Sequence, residues 1–326
     1  MDMSVSDVYS GGYSTWNGYR VWAVDGSKMQ LPSDPAPLEQ FGATGRGHSA
    51  VTAQSSCLYD VLNDIIADAR LEPIKTDERA LAVMHIHHLS AMESFGKELA
   101  ILDRGYPSFG LIETFMDSGV HYLFRVPKSF ILDIDDMPLG DHRYALTTKG
   151  RHIRIRVIKF VLSSGETETL ITDLFDNRIG TDEFKALYFK RWSVETKYGE
   201  LKHKLEIENF SGRTKDTVYQ DYYVTAYLSN MIAIAANETQ PVIDKIRADR
   251  ENIYDYKVNK SHAVGVFKDR FIRALIEPNP FKRDRTVRRI LLLLAFHPTP
   301  KRSDRSVPRN PCPRNASFHF NQKSNC

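Results

Sequence analysis

Two apolar runs in this chain end on an aspartate. Val21-Trp22-Ala23-Val24 leads into Asp25, and Ala100-Ile101-Leu102 leads into Asp103. A carboxylate at the end of an apolar strand is costly to desolvate unless a partner or a cation accompanies it. Both residues are therefore candidates for a site at the ends of strands in a sheet. Asp-Gly and Asp-Arg-Gly are also ordinary turn sequences, so either aspartate alone has a plain structural explanation.

The segments around them set the fold class. Tyr19–Val24 reads as a strand, Asp25-Gly26-Ser27 as a turn, and Lys28–Leu31 as a second strand. His48–Leu58 and Asp64–Leu71 read as further strands, the latter also compatible with helix. Asp77–Met92 has helical composition, with Asp77 and Glu78 at the end where the helix dipole favours acids. After the Leu99–Leu102 run, Pro107–Ser118 is helical, Gly119 closes it, and His121–Val126 is a strand. The order strand, strand, strand, helix, strand, helix, strand predicts a mixed α/β sheet flanked by helices.

Residues 128–172 change character and read as a β-rich insertion. Ile153–Leu162 alternates as a strand does, and Glu168–Thr172 has strand propensity. Thr181–Leu205 then predicts a single helix, with Thr181 as N-cap and Asp182 and Glu183 in its first turn. Thr214–Thr239 and Ala263–Leu275 also read as helices, and Val287–Phe296 as a buried helix or strand. Prolines 298, 300, 308, 311 and 313 make the end of the chain a poor packer.

The Thr181–Leu205 segment holds the strongest pattern. Tyr188, Arg191, Glu195 and Lys202 follow Y-x2-R-x3-E-x6-K. On one continuous helix these four fall within about 60° of one another. Leu187, Val194, Tyr198, Leu201 and Leu205 form an adjacent arc that suits a core. Lys190, Lys197, Glu200 and Lys204 are expected to point to solvent. The bland explanation is a salt-bridged surface, because Arg191 and Glu195 are i,i+4 partners. The full pattern at the edge of an apolar arc points to a site.

This signature resembles that of DDE-type transposases of bacterial insertion sequences, in the insertion-sequence family four branch. Val24-Asp25-Gly26-Ser27 with Leu31-Pro32 resembles the family's first-aspartate segment. Leu102-Asp103-Arg104-Gly105-Tyr106 resembles its second. The resemblance implies that Asp25, Asp103 and Glu195 are the catalytic and metal-holding triad. It implies that Tyr188, Arg191 and Lys202 contact DNA phosphates. It also implies an RNase H-like fold with a β-strand insertion before the glutamate-bearing helix.

Carboxylates on two strands and a helix suit a pair of Mg²⁺ ions, with Mn²⁺ able to substitute, and Asp25 is the expected bridge. Trp192, with Tyr188, offers an aromatic face to an unstacked base. The implied partners are double-stranded DNA, as element ends and as target, and a second copy of the chain in a synaptic complex. The resemblance covers about residues 19–240. It divides the chain into an N-terminal loop (1–18), a catalytic domain (19–240), a helical segment (241–296) and a basic, proline-rich tail (297–326). Only 24 residues precede Asp25, so the usual end-binding domain is expected to be largely absent.

Composition agrees with a nucleic-acid partner. Eleven Lys or Arg stand against Asp284 and Asp304 between Phe281 and Cys326, although the whole chain carries only +3. Such a basic end suits a polyanion or is merely solvated. No apolar run reaches the roughly 18 residues of a membrane span, and the start of the chain lacks a secretory pattern. Cys57, Cys312 and Cys326 are too scattered for a disulfide framework or a zinc site, which suits the cytoplasm.

His85, His87 and His88 lack ligand spacing and read as packed or surface residues. Asp133, Asp135 and Asp136 read as a solvated hairpin end. Two other functions compete. One is a decayed or domesticated relative that binds DNA without cutting it. The other is a carboxylate-pair hydrolase using Asp25 and Glu195 on a sugar or small ester, which the Arg191 and Lys202 face argues against.

Overall fold

The computed structural model describes Tyr9 and residues 12–45, 50–92, 96–148, 150–248 and 254–301. Its chain divides into two compact units. One comprises the residues up to Met29 with Thr52–Tyr198; the other comprises Gln30–Val51 with the residues from Gly199 on.

In chain order the elements are β1 (Tyr19–Gln30), α1 (Pro35–Phe41), β2 (Ala43–Thr44), β3 (Ala50–Asp60), β4 (Ile65–Pro73), α2 (Glu78–Ala91), β5 (Lys97–Leu102), α3 (Phe109–Ser118), β6 (His121–Arg125), α4 (Leu132–Asp135), β7 (Gly140–Thr148), β8 (Arg151–Val161), β9 (Thr167–Thr172), α5 (Thr181–Phe189) and α6 (Trp192–His203). Then follow α7 (Lys215–Ala248), β10 (Tyr256–Lys257), α8 (Lys260–Ile276), α9 (Pro280–Phe296) and β11 (Thr299–Pro300).

The first unit is built on a mixed sheet in the order β4-β3-β1-β5-β6-β9-β8-β7. β1, β5 and β6 run parallel to one another. β1 and β3 run antiparallel, as the bonds Val61 N–H to Val21 O and Leu31 N–H to Val51 O require. β3 pairs antiparallel with β4. Three antiparallel strands beside two parallel to the first make the mixed sheet expected from the residues, in the RNase H-like order that the resemblance implies.

The β-rich insertion extends this same sheet. β9 pairs antiparallel with β6, β8 with β9, and β7 with β8. Its alternation is visible in β8, where Ile153 and Ile155 are buried beside exposed Arg151 and Arg154.

Successive strand residues face opposite sides, so each strand feeds two cores. Tyr19, Val21, Leu99, Ile101 and Leu123 share one cluster with Phe184, Leu187 and Tyr188 of α5. Tyr122 and Phe124 face the other way and meet Phe115 of α3. α2 begins at N-cap Asp77, whose side chain accepts from the N–H of Arg79, and α3 begins at N-cap Ser108.

The structure departs from the sequence expectations at several points. Asp25-Gly26-Ser27 is no turn; β1 runs through it without a break. A Cβ at Gly26 would stand 2.7 Å from Gln54 Nε2 and 3.0 Å from Glu78 Oε1, the ends of two side chains that would have to shift. Those two groups hydrogen-bond to each other across it at 3.0 Å. Asp64–Leu71 is strand, within β4. The single helix over 181–205 is two helices. Arg191 N–H bonds to Tyr188 O and Val194 N–H to Arg191 O, i−3 bonds that tighten the chain between α5 and α6. The 100° spacing that placed four residues on one face does not carry across that joint. Gly180, not Thr181, is the N-cap, with the Glu183 carboxylate accepting its N–H.

Asp133 and Asp135 lie in α4, not at a hairpin end. Asp133 accepts from the Tyr144 hydroxyl, and Asp135 accepts from Ser129 N–H. The buried Lys159 ammonium satisfies the carbonyls of Ile134, Asp135 and Met137 at the end of that helix.

The second unit is largely helical. Val218, Tyr222, Thr225, Ala226 and Ser229 repeat at three- and four-residue spacing along the buried side of α7. Asn259 and Asn279 cap α8 and α9, with Pro280 in the first position of α9. The expected buried element over 287–296 is part of α9, which buries only Ile290, Leu294 and Ala295. The chain beyond Lys301 lies outside the described residues.

Candidate active site

Strand register brings the two aspartates together. Ala23 pairs with Ile101 in the parallel β1–β5 ladder. Asp25 and Asp103 each lie two residues further on, so they fall side by side with side chains on the face that α5 covers. The β5–β6 register pairs Leu102 with Phe124, which sets Arg125 next to Asp103 in the same way.

Arg191, at the joint between α5 and α6, collects the acids. Its guanidinium stands 3.6 Å from Asp103, 3.9 Å from Asp25 and 3.0 Å from Glu195. Its side chain is only 4% exposed. Three carboxylates from distant parts of the sequence thus surround one cation. Tyr188 is buried, and its hydroxyl donates to Asp103 Oδ1 at 3.0 Å. Trp192, which follows Arg191, is half exposed. Lys202 lies further along α6 in the second unit, where its ammonium is 3.4 Å from Glu208.

Two further residues belong to this site. Arg125 stands 3.9 Å from Asp103 and 2.5 Å from Glu168 of β9. Glu168 is buried, and its Oε2 has no hydrogen-bond partner among the described residues. Burial raises the Glu168 pKa, with Arg125 opposing. The signal that flags the aspartates also flags Arg125: it ends the apolar run Tyr122-Leu123-Phe124. Glu168 has no such signal, because it is set opposite Arg125 only by folding of the insertion.

Lys197, expected in solvent, is buried and paired with Asp64 at 2.7 Å. Glu200 pairs with Lys260 at 2.8 Å. His85 is a packed residue as expected. It is buried between Asp68, 2.8 Å from Nδ1, and Ser56, 3.0 Å from Nε2.

The electrostatics distinguish the aspartates. Burial pushes Asp25 up to about 6; Arg191 and the Gly26 N–H oppose this, and Glu195 adds to it. Burial acts on Asp103 too, but the Arg104 N–H, Arg191 and the Tyr188 hydroxyl outweigh it and hold the pKa below the ordinary value.

The donor set suits a divalent cation. All three acids offer oxygen, the ligand preferred by hard cations. Burial is the main cause of the raised Asp25 pKa, and the neighbouring Glu195 charge adds to it, so a bound cation would favour the ionised carboxylate. As placed, the acids enclose Arg191. Among the described residues no three acidic, histidine or cysteine side chains gather at ion-holding distance.

The mixed sheet thus brings Asp25 and Asp103 to Glu195 around Arg191. The family model for the transposase DDE domain matches residues 16–231, and the chain belongs to that family. Proteins of this family generally use divalent metal ions. Transposase InsG for insertion sequence element IS4, from Escherichia coli (strain K12), is 24% identical over 236 residues. The match takes in 67% of this chain and 52% of the relative, so the chain spans about half that protein's length. Among solved structures, the cryo-EM structure of the piggyBac transposase synaptic complex with hairpin DNA is 10% identical, with a TM-score of 0.45. That match covers 83% of this chain and 57% of the other. No helix among the described residues is long and apolar enough to cross a membrane.

Proposed function

We propose that this chain is a DNA transposase that cuts the ends of an insertion sequence and joins them to target DNA. The observation that carries this reading is the convergence of Asp25, Asp103 and Glu195 on Arg191. Asp25, Asp103 and Glu195 hold the divalent ions, Mg²⁺ with Mn²⁺ able to substitute. When bound, such ions activate the attacking water or 3′-hydroxyl and stabilise the departing oxygen of an in-line phosphoryl transfer.

The protein residues prepare that chemistry. Tyr188 fixes the orientation of Asp103 through its hydroxyl. Arg191 keeps three like charges close, and its planar fork suits a phosphate as a competing anion. Lys202 supplies a second phosphate contact, and Trp192 an exposed ring for an unstacked base. The partners are double-stranded DNA at the element ends and target and a second copy of the chain, acting in the cytoplasm.

The test is strand cleavage of supercoiled plasmid with Mg²⁺ by the Asp25→Ala, Asp103→Ala and Glu195→Ala variants. Each is expected to lose at least about 10²-fold in cleavage rate while retaining DNA affinity. Cleavage that persists in any of them, or that resists EDTA, contradicts the reading. DNA binding with no cleavage by the unmodified chain indicates a decayed relative.

A further inference from the structure

A second link between the acids runs through Tyr198. It lies three residues beyond Glu195 on α6 and is buried. Its hydroxyl donates to the main-chain carbonyl of Asp25 at 3.2 Å. Ser55 Oγ stands 3.4 Å from the same hydroxyl. The buried Cys57 thiol is a further hydrogen-bond partner of this hydroxyl.

Ser56 also approaches the Asp25 carbonyl, at 3.4 Å. Its proton has a nearer acceptor, His85 Nε2 at 3.0 Å. His85 Nδ1 faces the Asp68 carboxylate at 2.8 Å, and that bond takes the single proton of a neutral ring. Burial favours the neutral ring. Nε2 is then the acceptor of the Ser56 proton. Of the two hydroxyls, Tyr198's is the one that holds Asp25.

The preceding residue fastens the same helix elsewhere. Lys197 Nζ pairs with Asp64 Oδ1 at 2.7 Å, and Asp64 also accepts from the Tyr59 hydroxyl at 2.7 Å. Asp64 sits in the turn between β3 and β4 with φ of 62°. Two adjacent side chains of α6 therefore grip the strands at two points.

We propose that Tyr198 is a positioning residue that fixes the spacing of Glu195 from Asp25, with the Lys197–Asp64 pair keeping α6 from sliding. This rests on the cleavage reading above. Shared ions require carboxylates held within about 0.5 Å of their working separation. A main-chain carbonyl is a firmer anchor than a side chain, because it has no rotamers of its own.

The test is Tyr198→Phe, which keeps the buried ring and removes only the hydroxyl. Duplex DNA affinity and melting temperature are expected to hold. Turnover at saturating DNA is expected to fall about 10- to 100-fold, and Mn²⁺ affinity measured by calorimetry to fall with it. Lys197→Met is expected to weaken Mn²⁺ binding in the same direction. Unchanged turnover and Mn²⁺ affinity in Tyr198→Phe overturn the proposal. So does a joint loss of DNA binding and melting temperature, which assigns Tyr198 to packing. Should the unmodified chain fail to cut while Tyr198→Phe still weakens Mn²⁺ binding, the tether stands and the cleavage reading falls. Normal cleavage by Glu195→Ala sinks the cleavage reading alone.

Discussion

At the scale of single residues, Asp25 carries the clearest pH signature. Burial pushes its carboxyl up to about 6, above the value of an unfolded chain. The protonated form therefore favours the folded state. That stabilisation is complete below about pH 4 and is lost as pH rises through about 6. A shift of two units is worth about 3 kcal/mol, or about 2 kcal/mol after allowing for screening at its exposed edge. In EDTA, Asp25→Asn is expected to be about 2 kcal/mol more stable than the parent at pH 8, with the difference gone near pH 4. Urea denaturation at the two pH values checks this; an equal difference at both contradicts it.

The aspartates were legible because each ends an apolar run. Asp25-Gly26 misled for a physical reason: a dipeptide that favours turns is also compatible with an extended strand, and strand pairing decides between the two. The burial of Lys197 was illegible because its partner, Asp64, is distant in sequence and is brought to it only by the fold.

At the scale of elements, the succession of strands and helices in the first half was readable from apolar runs, and so was the β-rich insertion. The break between α5 and α6 was not. Apolar spacing at 187, 194, 198 and 201 satisfies a helical period on both sides of Arg191, so the pattern carries no mark of the joint. That joint positions the site, because it turns Arg191 toward the acids while α5 stays packed on the sheet. Phe184 anchors α5 in the shared core and is fully buried. Phe184→Ala is expected to cost about 3–5 kcal/mol. A urea melt reads that loss directly; a cost under about 1 kcal/mol would show that α5 is not held by this core.

At the scale of the whole molecule, charge and site belong to different stretches of chain. The acids lie in the first unit. Exposed Lys282, Arg283, Arg285, Arg288 and Arg289 crowd the first half of α9 in the second. A basic surface of this kind raises the local concentration of a polyanion, an effect that salt screens. The small net charge of +3 hid it, and only its distribution along the sequence revealed it.

The central claim is that Asp25, Asp103 and Glu195 share divalent ions at the reacting phosphate. Anomalous scattering from a crystal of the protein with DNA and Mn²⁺ tests it most directly. The account predicts Mn²⁺ at about 2.1 Å from carboxylate oxygens of all three acids, with Arg191 displaced from between them. Mn²⁺ bound elsewhere, with Arg191 still paired to all three carboxylates, would contradict it.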